Sequence, residues 1–138
     1  MTLHLMKLAV GIDDVEHLRR VRAARAAERG GGGWVYTRNR PRREAEVLDG
    51  GSIYWVIRGQ IRARQLVAGF RSERDDNGRR YCLIDVDRTL VPTLLRSCRP
   101  FQGWRYMDPE AAPPDRATMA EPPLPDHMLS ELRALGLL

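Results

Sequence analysis

Hydrophobic and polar positions are most regularly patterned in the middle of the chain, over residues 49–65. A Gly-Gly pair at 50–51 precedes the β-favouring run Ile53–Arg58, in which bulky side chains fall on both faces of a strand. This pattern predicts a central strand that is covered on both sides. Gly59 then predicts a bend or bulge before a second strand begins.

The remaining β-favouring runs predict further strands around this one. They lie at residues 3–10, 34–38, 61–70, 80–86 and 101–106. The tetrapeptide Asp75-Asp76-Asn77-Gly78 predicts a tight hairpin turn, because Asn-Gly accepts the positive φ angles of such turns. Residues 89–95 are either an edge strand or a loop, since Pro92 cannot donate a ladder hydrogen bond.

Two helices are predicted between the early strands. Asp13 or Asp14 caps a helix over residues 13–29, and Pro41 favours the start of a short helix over residues 42–48. The apolar stripe of the longer helix comprises Val15, Leu18 and Val21, and its outer face comprises Arg19, Arg22, Arg25 and Arg29. The glycines at 30–33 end this helix and predict a flexible connector.

The composition changes after Met107. Six prolines between residues 109 and 125 predict an extended, poorly packed tail over 108–138, and residues 126–135 predict a short helix that Gly136 ends. The fold class is therefore predicted to be α+β. Residues 1–107 are predicted to form a small, bent antiparallel sheet or barrel with two inserted helices, and the C-terminal helix docks on this domain or on a partner protein.

The charge distribution bears on the class of ligand. The net charge is +5, and between residues 19 and 43 nine arginines accompany a single acid, Glu28. Such a block creates a positive field that attracts phosphate backbones. Two other interpretations stay open: an arginine excess is also typical of a GC-rich genome, and surplus charge often serves solubility alone.

Cysteine content and hydropathy predict a cytoplasmic protein. Cys82 and Cys98 have neither the spacing of a disulfide framework nor that of a zinc motif. No apolar run approaches the ~20 residues that span a bilayer, and the N-terminus lacks the features of a secretion signal. The three histidines His4, His17 and His127 have no metal-ligand spacing. We expect no membrane contact, no metal and no cofactor.

Three motifs carry a resemblance to a known family: Met1-Thr2-Leu3-His4-Leu5-x-Lys7-Leu8-x-Val10-Gly11, Leu48-Asp49-Gly50-Gly51-Ser52-x-Tyr54-Trp55-Val56-Ile57-x-Gly59 and Phe101-Gln102-Gly103-Trp104-Arg105-Tyr106. With them the chain resembles the alphaproteobacterial domain-of-unknown-function proteins of about this length. That resemblance spans nearly the whole chain and implies no established activity.

The organisation of the chain is more distantly similar to the PUA-like barrels, which include the PUA, ASCH, EVE and YTH domains. This likeness implies a small, mostly antiparallel barrel with a cleft for RNA or a modified base. The ASCH signature Gly-x-Lys-x-x-Glu-x-Arg is not present, and residues 38–46 lack its lysine. The hydrolysis of acylated cytidine known among ASCH proteins is therefore not implied here.

Aromatic residues interleaved with arginines are the candidate ligand-binding groups, because rings stack on bases and guanidinium groups hold phosphates. Trp34 and Trp55 are interpreted as core residues, so Trp104 and Tyr106 are the preferred stacking rings. The predicted nucleic-acid-binding residues are Arg38, Arg40, Ser52, Arg58, Gln65, Trp104, Arg105 and Tyr106.

Several of these residues have two interpretations. Gln65 falls in register with apolar neighbours, so its inward-facing amide either reads a base edge or satisfies a local loop. Ser52 offers its hydroxyl to a ligand or belongs to the preceding turn. Arg58, Arg62 and Arg64 are predicted to share one face of the sheet. There they either contact phosphates or form the solvated side of a hairpin.

Catalytic groups are sparse. Asp85 and Asp87 share a face and are capable of binding magnesium or of acid/base work, although ion pairs with Arg79, Arg80 or Arg64 are the simpler interpretation. The leading hypothesis is a noncatalytic RNA- or nucleotide-binding module. One alternative is an enzyme acting on a modified nucleoside or nucleotide, and another is an interaction protein that uses its C-terminal helix.

Overall fold

The computed structural model describes residues 2–116. The predicted C-terminal helix over residues 126–135 lies outside these described residues. In chain order the elements are β1 (His4–Leu8), α1 (Val15–Glu28), β2 (Gly33–Thr37), α2 (Glu44–Leu48), β3 (Ser52–Ile57), β4 (Gln60–Arg74), β5 (Arg80–Val86), β6 (Val91–Ser97), β7 (Trp104–Met107) and a 3₁₀ turn at Pro109–Ala111. The predicted α+β class and its two inserted helices are confirmed.

The strands form one mixed sheet in the order β2-β5-β4-β3-β1-β7, and β6 pairs with β4 outside this path. The sheet does not close, so the barrel alternative is wrong. The expectation of an antiparallel sheet also needs one correction: β1 and β3 are parallel, while the other pairings are antiparallel. The connection between them is long enough to contain α1, β2 and α2, and a crossover of that kind returns the chain in the same direction.

Strand β4 joins the two halves of the sheet. Its first half pairs with β3 and β6, and its second half pairs with β5. The hairpin between β4 and β5 turns at the predicted Asn77-Gly78 step, where Gly78 has a φ of 77°. Pro92 lies in β6, which is a strand rather than a loop.

A β-bulge in β4 breaks the predicted alternation of side chains between the two faces of the strand. Trp55 pairs with Ala63 while Val56 pairs with Ile61, which leaves Arg62 as the extra residue. Arg62 is therefore buried, and its Nε donates to the carbonyl oxygen of Ile57 at 2.8 Å. The predicted common face of Arg58, Arg62 and Arg64 is wrong for this reason.

Strand β3 lies at the centre of the packing, as predicted, and all six of its residues are buried. Its residues Ile53, Trp55 and Ile57 pack in a cluster with Val15 and Leu18 of α1. A second cluster on the other face contains Tyr54, Val56 and Met107. The Asp14 side chain caps α1 by accepting a hydrogen bond from the His17 N–H at 2.8 Å.

The segment from Pro109 to Asp115 packs along the outer edge of β6, which departs from the predicted poorly packed tail. Leu94 N–H donates to the carbonyl oxygen of Pro114 at 2.9 Å. Asp115 forms an isolated bridge with Thr93. Two nitrogens of Arg64 also lie 2.7 Å from the two Asp115 carboxylate oxygens.

The Arg64–Asp115 ion pair predicts a pH-dependent stability. The Arg64 guanidinium holds the pKa of the Asp115 carboxyl below its ordinary value of 3.8. Because the folded-state pKa is the lower one, the pair stabilises the fold above the unfolded-state pKa and is lost as the pH falls through the folded-state value. We expect Asp115→Asn to lower the free energy of unfolding by about 1 kcal/mol at neutral pH, allowing for solvent screening.

Urea unfolding of the wild type and Asp115→Asn across an acid series measures this effect. The difference between the two proteins should shrink at the acidic end of the series, because the wild-type carboxylate becomes protonated there. A difference that stays constant at all pH values would show that the substitution disturbs packing rather than removing an ion pair.

Candidate functional site

The preferred stacking rings, Trp104 and Tyr106, form a T-shaped pair on β7 with their centroids 4.8 Å apart. Both rings are half-buried against the main core cluster. The Trp104 indole donates to the carbonyl oxygen of Asn39 at 2.9 Å, and the Tyr106 hydroxyl accepts from the Arg43 N–H at 3.1 Å. The polar atoms of this pair thus tie β7 to the β2–α2 connection.

The predicted phosphate-binding arginines are exposed but have partners of their own. Within residues 2–116 none of Arg38, Arg40 and Arg58 forms a hydrogen bond or ring contact with Trp104 or Tyr106. The contacts are Arg38 with the Arg80 carbonyl oxygen (3.4 Å), Arg40 with Glu44 (2.5 Å) and Ser72 (2.9 Å), Arg58 with Asp13 (2.9 Å), and Arg105 with the Phe101 ring (6.0 Å to its centroid).

Ser52 is buried at the start of β3 and belongs to an internal polar network. Its hydroxyl accepts a hydrogen bond from Arg64 at 3.0 Å, and its backbone N–H donates to Nδ1 of His4 at 3.0 Å. Burial is the main cause that lowers the pKa of His4, and Arg64 lowers it further. The neutral imidazole is therefore the form that accepts from Ser52.

The two candidate catalytic carboxylates have structural partners. Asp85 accepts from two nitrogens of Arg71 at 2.8 and 3.0 Å, so the expected pairing with Arg79, Arg80 or Arg64 is wrong. The strand register explains this choice, because Arg71 of β4 lies diagonally across from Asp85 of β5. The Asp87 carboxylate accepts from the Thr89 N–H at 2.9 Å.

A cleft of about 390 Å³ opens between α1, the start of β2 and the β5–β6 loop. We call it the arginine cleft, after three of its lining residues. Its polar and aromatic lining comprises Arg19, Arg22, Trp34, Gln65, Arg88 and Thr89. Among the described lining residues there is no carboxylate, histidine or cysteine. The volume is in the range of natural small-molecule sites.

Arg22 is the most unusual group of the arginine cleft. Its Nη1 donates to the carbonyl oxygen of Trp34 at 3.0 Å, and its guanidinium carbon lies 5.0 Å from the centroid of the Trp55 ring. Its Nε is buried and has no hydrogen-bond partner within residues 2–116. Burial, and secondarily the charge of Arg25, lower the pKa of Arg22 to about 10.

Further positive charge surrounds Arg22. A second cavity of about 240 Å³ lies on its other side and is lined by Lys7 and Arg25, again with no carboxylate among the described residues. Burial, and secondarily the charge of Arg22, lower the pKa of Lys7. Like charges held together without a counter-charge would be stabilised by an anion.

The other two arginines reach the cleft from opposite sides. Arg19 is exposed on α1, where it pairs with Glu16. Arg88 is exposed in the β5–β6 loop and forms no ion pair or hydrogen bond with the described part of the chain, 2–116. A Cβ atom on Gly31 would lie 3.8 Å from its Nη1. The glycine connector therefore runs beside the Arg88 guanidinium.

Trp34 is the aromatic residue that lines the arginine cleft. It is half-buried rather than part of the core as expected, and its indole N–H donates to the Arg25 carbonyl oxygen at 2.7 Å. The guanidinium carbon of Arg29 lies 4.7 Å from the ring centroid. Trp34 thus fastens the end of α1 to β2, and it is one of the residues that line the cleft.

The prediction that Arg22 lies on the outer face of α1 is wrong, because its guanidinium lies over the buried Trp55 ring, and its position in the helix carried a signal of this. The buried residues of α1 are Val15, Leu18 and Ala26. Arg22 is four residues after Leu18 and four before Ala26, so it lies in the same stripe and faces the sheet. Arg88 carries no comparable signal, because a loop residue has no periodic neighbours.

Metal-ligand clusters and membrane-spanning helices are both absent from the described residues. Residues 2–116 contain no group of three or more His, Cys, Asp or Glu side chains that could hold a metal ion. Within the same residues, no helix combines the length and the apolar character that crossing a membrane requires.

Comparisons with known proteins place the chain in a family. No curated protein and no solved structure matches it. One family model, described as "Protein of unknown function (DUF1489)", matches residues 5–138. Since this match covers nearly the whole sequence, the chain belongs to the DUF1489 family of proteins of unknown function.

Proposed function

We propose that this protein binds a nucleotide phosphate, either of a free nucleotide or within an RNA strand, in the arginine cleft and without catalysis. The observation that carries the proposal is the convergence of Arg19, Arg22 and Arg88 on a cavity whose described lining holds no carboxylate. A phosphate there would accept several charge-assisted hydrogen bonds at once. It would also give the buried Nε of Arg22 an acceptor.

The wall of the arginine cleft provides for a base as well. Trp34 is the aromatic residue of the lining, and a base would stack on the ring face that does not carry Arg29; base–aromatic stacking typically contributes about 1–3 kcal/mol. A volume of about 390 Å³ accommodates a mononucleotide. A PUA-like relationship would agree with such a ligand, and it stays a prediction.

The composition of the cleft favours binding over turnover. General acid/base catalysis needs a titratable group near the ligand, and the described lining has no histidine, cysteine, aspartate or glutamate. Asp85, one of the two candidate catalytic carboxylates, accepts hydrogen bonds from two nitrogens of Arg71. We therefore propose no reaction for this site.

The first test is the substitution Arg88→Ala. Arg88 is exposed and makes no ion pair with the described residues, so its loss should leave the fold intact. We expect nucleotide 5′-monophosphate affinity to fall by about 5- to 10-fold, because one charge-assisted hydrogen bond to phosphate is lost. Isothermal titration calorimetry at low salt measures the change, and increasing salt should weaken wild-type binding.

Two exposed arginines serve as comparison variants. Arg42→Ala removes the same charge from the β2–α2 connection, outside the cleft lining, and should leave the affinity unchanged. Arg105→Ala tests the alternative location at Trp104 and Tyr106. If Arg105→Ala weakens binding while Arg88→Ala does not, the ligand lies beside β7 and the proposed site is wrong.

The source of the phosphate is settled by comparing ligands at equal salt. A short single-stranded RNA that binds more tightly than mononucleotides, and with a steeper salt dependence, would indicate an RNA strand. Equal affinities would indicate a free nucleotide. No binding of either ligand at low salt would overturn the proposed function.

A further inference from the structure

The second cavity beside Arg22, of about 240 Å³, combines an apolar lining with basic groups. We call it the lysine cavity. Its apolar lining includes Leu8, Val10, Ile12 and Val21, and its basic residues are Lys7, Arg22 and Arg25. Among the described lining residues there is no aspartate or glutamate. Val10 is 87 % exposed, so part of the apolar lining can be reached from solution.

Lys7 reaches the lysine cavity from the middle of the sheet. It lies on β1, opposite Trp55 of β3 on one side and Trp104 of β7 on the other. Its side chain is half-buried and forms no hydrogen bond or ion pair with any residue from 2 to 116. A charged amine in such a position is costly unless an anion accompanies it. Burial, and secondarily the charge of Arg22, accordingly lower the pKa of Lys7.

The two arginines of the lysine cavity add to this imbalance of charge. Arg22 donates to the carbonyl oxygen of Trp34 at 3.0 Å and has no carboxylate partner among residues 2–116. Arg25 is exposed, and its guanidinium likewise forms no ion pair within the described part of the chain. After burial, which is the main cause, the charge of Arg25 lowers the pKa of Arg22 and the charge of Arg22 lowers that of Lys7. One bound anion would therefore reduce two repulsions at once.

The aromatic part of the lining is held in place from within the protein. The Trp55 indole N–H donates to the amide oxygen of Gln65 at 3.0 Å, and the Gln65 amide nitrogen donates to the Asp87 carbonyl oxygen at 3.0 Å. Gln65 is 1 % exposed, and both polar ends of its amide are thus bonded inside the protein. Trp55 lines the lysine cavity and carries the Arg22 guanidinium over its ring at 5.0 Å. A ligand would therefore meet a preformed surface.

We propose that the lysine cavity binds a small monocarboxylate with an aliphatic or aromatic body. Lys7 and Arg25 pair with the carboxylate, and Leu8 and Val21 contact the body. An apolar cavity of about 150 Å³ can hold benzene, so one of about 240 Å³ admits an acid of about six carbons. An inorganic anion would balance the charge but leave the apolar lining without contacts. This site shares Arg22 with the arginine cleft but does not depend on nucleotide binding there.

A ligand series on the wild type tests this inference. Lys7 is the only lysine of the 138-residue chain, so isotope-labelled lysine gives a single side-chain NMR signal that reports on this cavity. The titrated ligands are hexanoate, acetate, which lacks the body, and hexanamide, which lacks the charge. We expect hexanoate to bind at least about tenfold more tightly than either, because each buried methylene contributes about three- to fourfold and the ion pair adds to this. Equal binding of hexanoate and either analogue would overturn the proposal, as would the absence of hexanoate binding.

The variant Lys7→Met locates the bound acid. It removes the charge and keeps an unbranched side chain, and its fold is checked by circular dichroism and thermal unfolding. We expect its hexanoate affinity, measured by calorimetry, to fall by about tenfold or more. Arg20→Met removes an exposed charge outside the cavity lining and should leave that affinity unchanged.

The outcomes separate this site from the arginine cleft. Lys7 does not line the arginine cleft, so nucleotide affinity should change by less than about threefold in Lys7→Met. Unchanged hexanoate affinity in Lys7→Met would place the acid elsewhere and overturn the proposal. If Lys7→Met does not fold, the Lys7 signal of the wild type decides. Hexanoate binding without nucleotide binding would overturn the function proposed for the arginine cleft and leave this site standing.

Discussion

Replacing Arg22 by methionine is expected to abolish most of the nucleotide binding while leaving the protein at least as stable as the wild type. The guanidinium contributes hydrogen bonds and charge to the arginine cleft, and their loss should weaken the affinity by about tenfold or more. Stability should not fall in parallel, because the half-buried guanidinium has no ion-pair partner within residues 2–116, and burial and then the charge of Arg25 lower the pKa of Arg22 to about 10.

Methionine suits this test because it is unbranched and fills the same space against Trp55. The hydrogen bond to the Trp34 carbonyl oxygen is lost, which offsets part of the gain from removing the charge. Arg20→Met is the matched control, since it removes the same charge from an exposed position of the same helix. Its nucleotide affinity and its stability should both equal those of the wild type.

Chemical denaturation and calorimetry together decide the outcome. A variant Arg22→Met that loses both stability and affinity would show that Arg22 is a structural residue whose charge is balanced within the fold. A variant that keeps full affinity would remove Arg22 from the site. Only retained stability together with lost nucleotide affinity agrees with the proposal that Arg22 serves ligand binding rather than the fold.

Features that depend on neighbouring residues were predictable from the sequence. The hairpin at Asn77-Gly78 needs only a residue pair that tolerates positive φ, and the cap at Asp14 needs only a short polar side chain before a helix. Strand β5 occupies the predicted residues 80–86. The inward orientation of Gln65 also follows from local register, because no bulge falls between Ala63 and Gln65.

Features that depend on distant contacts were not predictable in this way. The parallel pairing of β1 with β3 is a property of the crossover between them, and the bulge at Arg62 appears only when the register of two strands is known. The arginine cleft has the same origin. It brings α1 together with the β5–β6 loop, which is about sixty residues away in the chain.

Arg22 shows how a charged residue can be assigned to the wrong face of a helix. A helix stripe that contains an arginine is normally assigned to the solvated face, because a buried charge without a partner is costly. Position 22 nevertheless continues the stripe of Leu18 and Ala26. A residue that violates the expected pattern in this way is a reasonable place to look for function, since such conflicts concentrate at sites that bind something.

The largest effect on stability is expected from Gly51→Ala, at the junction of α2, β1 and β3. An added Cβ atom would overlap the carbonyl oxygen of Leu3 and lie 2.5 Å from that of Val47. Both of these atoms belong to the backbone, and the Gly51 N–H already donates to Val47 at 2.7 Å. To remove this overlap, the chain before β1 or the end of α2 has to move. We expect the free energy of unfolding to fall by about 3 kcal/mol or more.

Gly59→Ala is the matched control for this substitution. Gly59 has a φ of 76° and open space around its Cα, so alanine there meets backbone strain without a clash. The expected loss is about 1 kcal/mol. Urea unfolding of the two variants distinguishes two reasons for a glycine. At Gly51 the neighbouring backbone lies too close for a Cβ atom, whereas at Gly59 only the positive φ angle favours glycine. If Gly51→Ala were no less stable than Gly59→Ala, Leu3 and Val47 could separate at little cost, and the junction would not hold β1 firmly against β3.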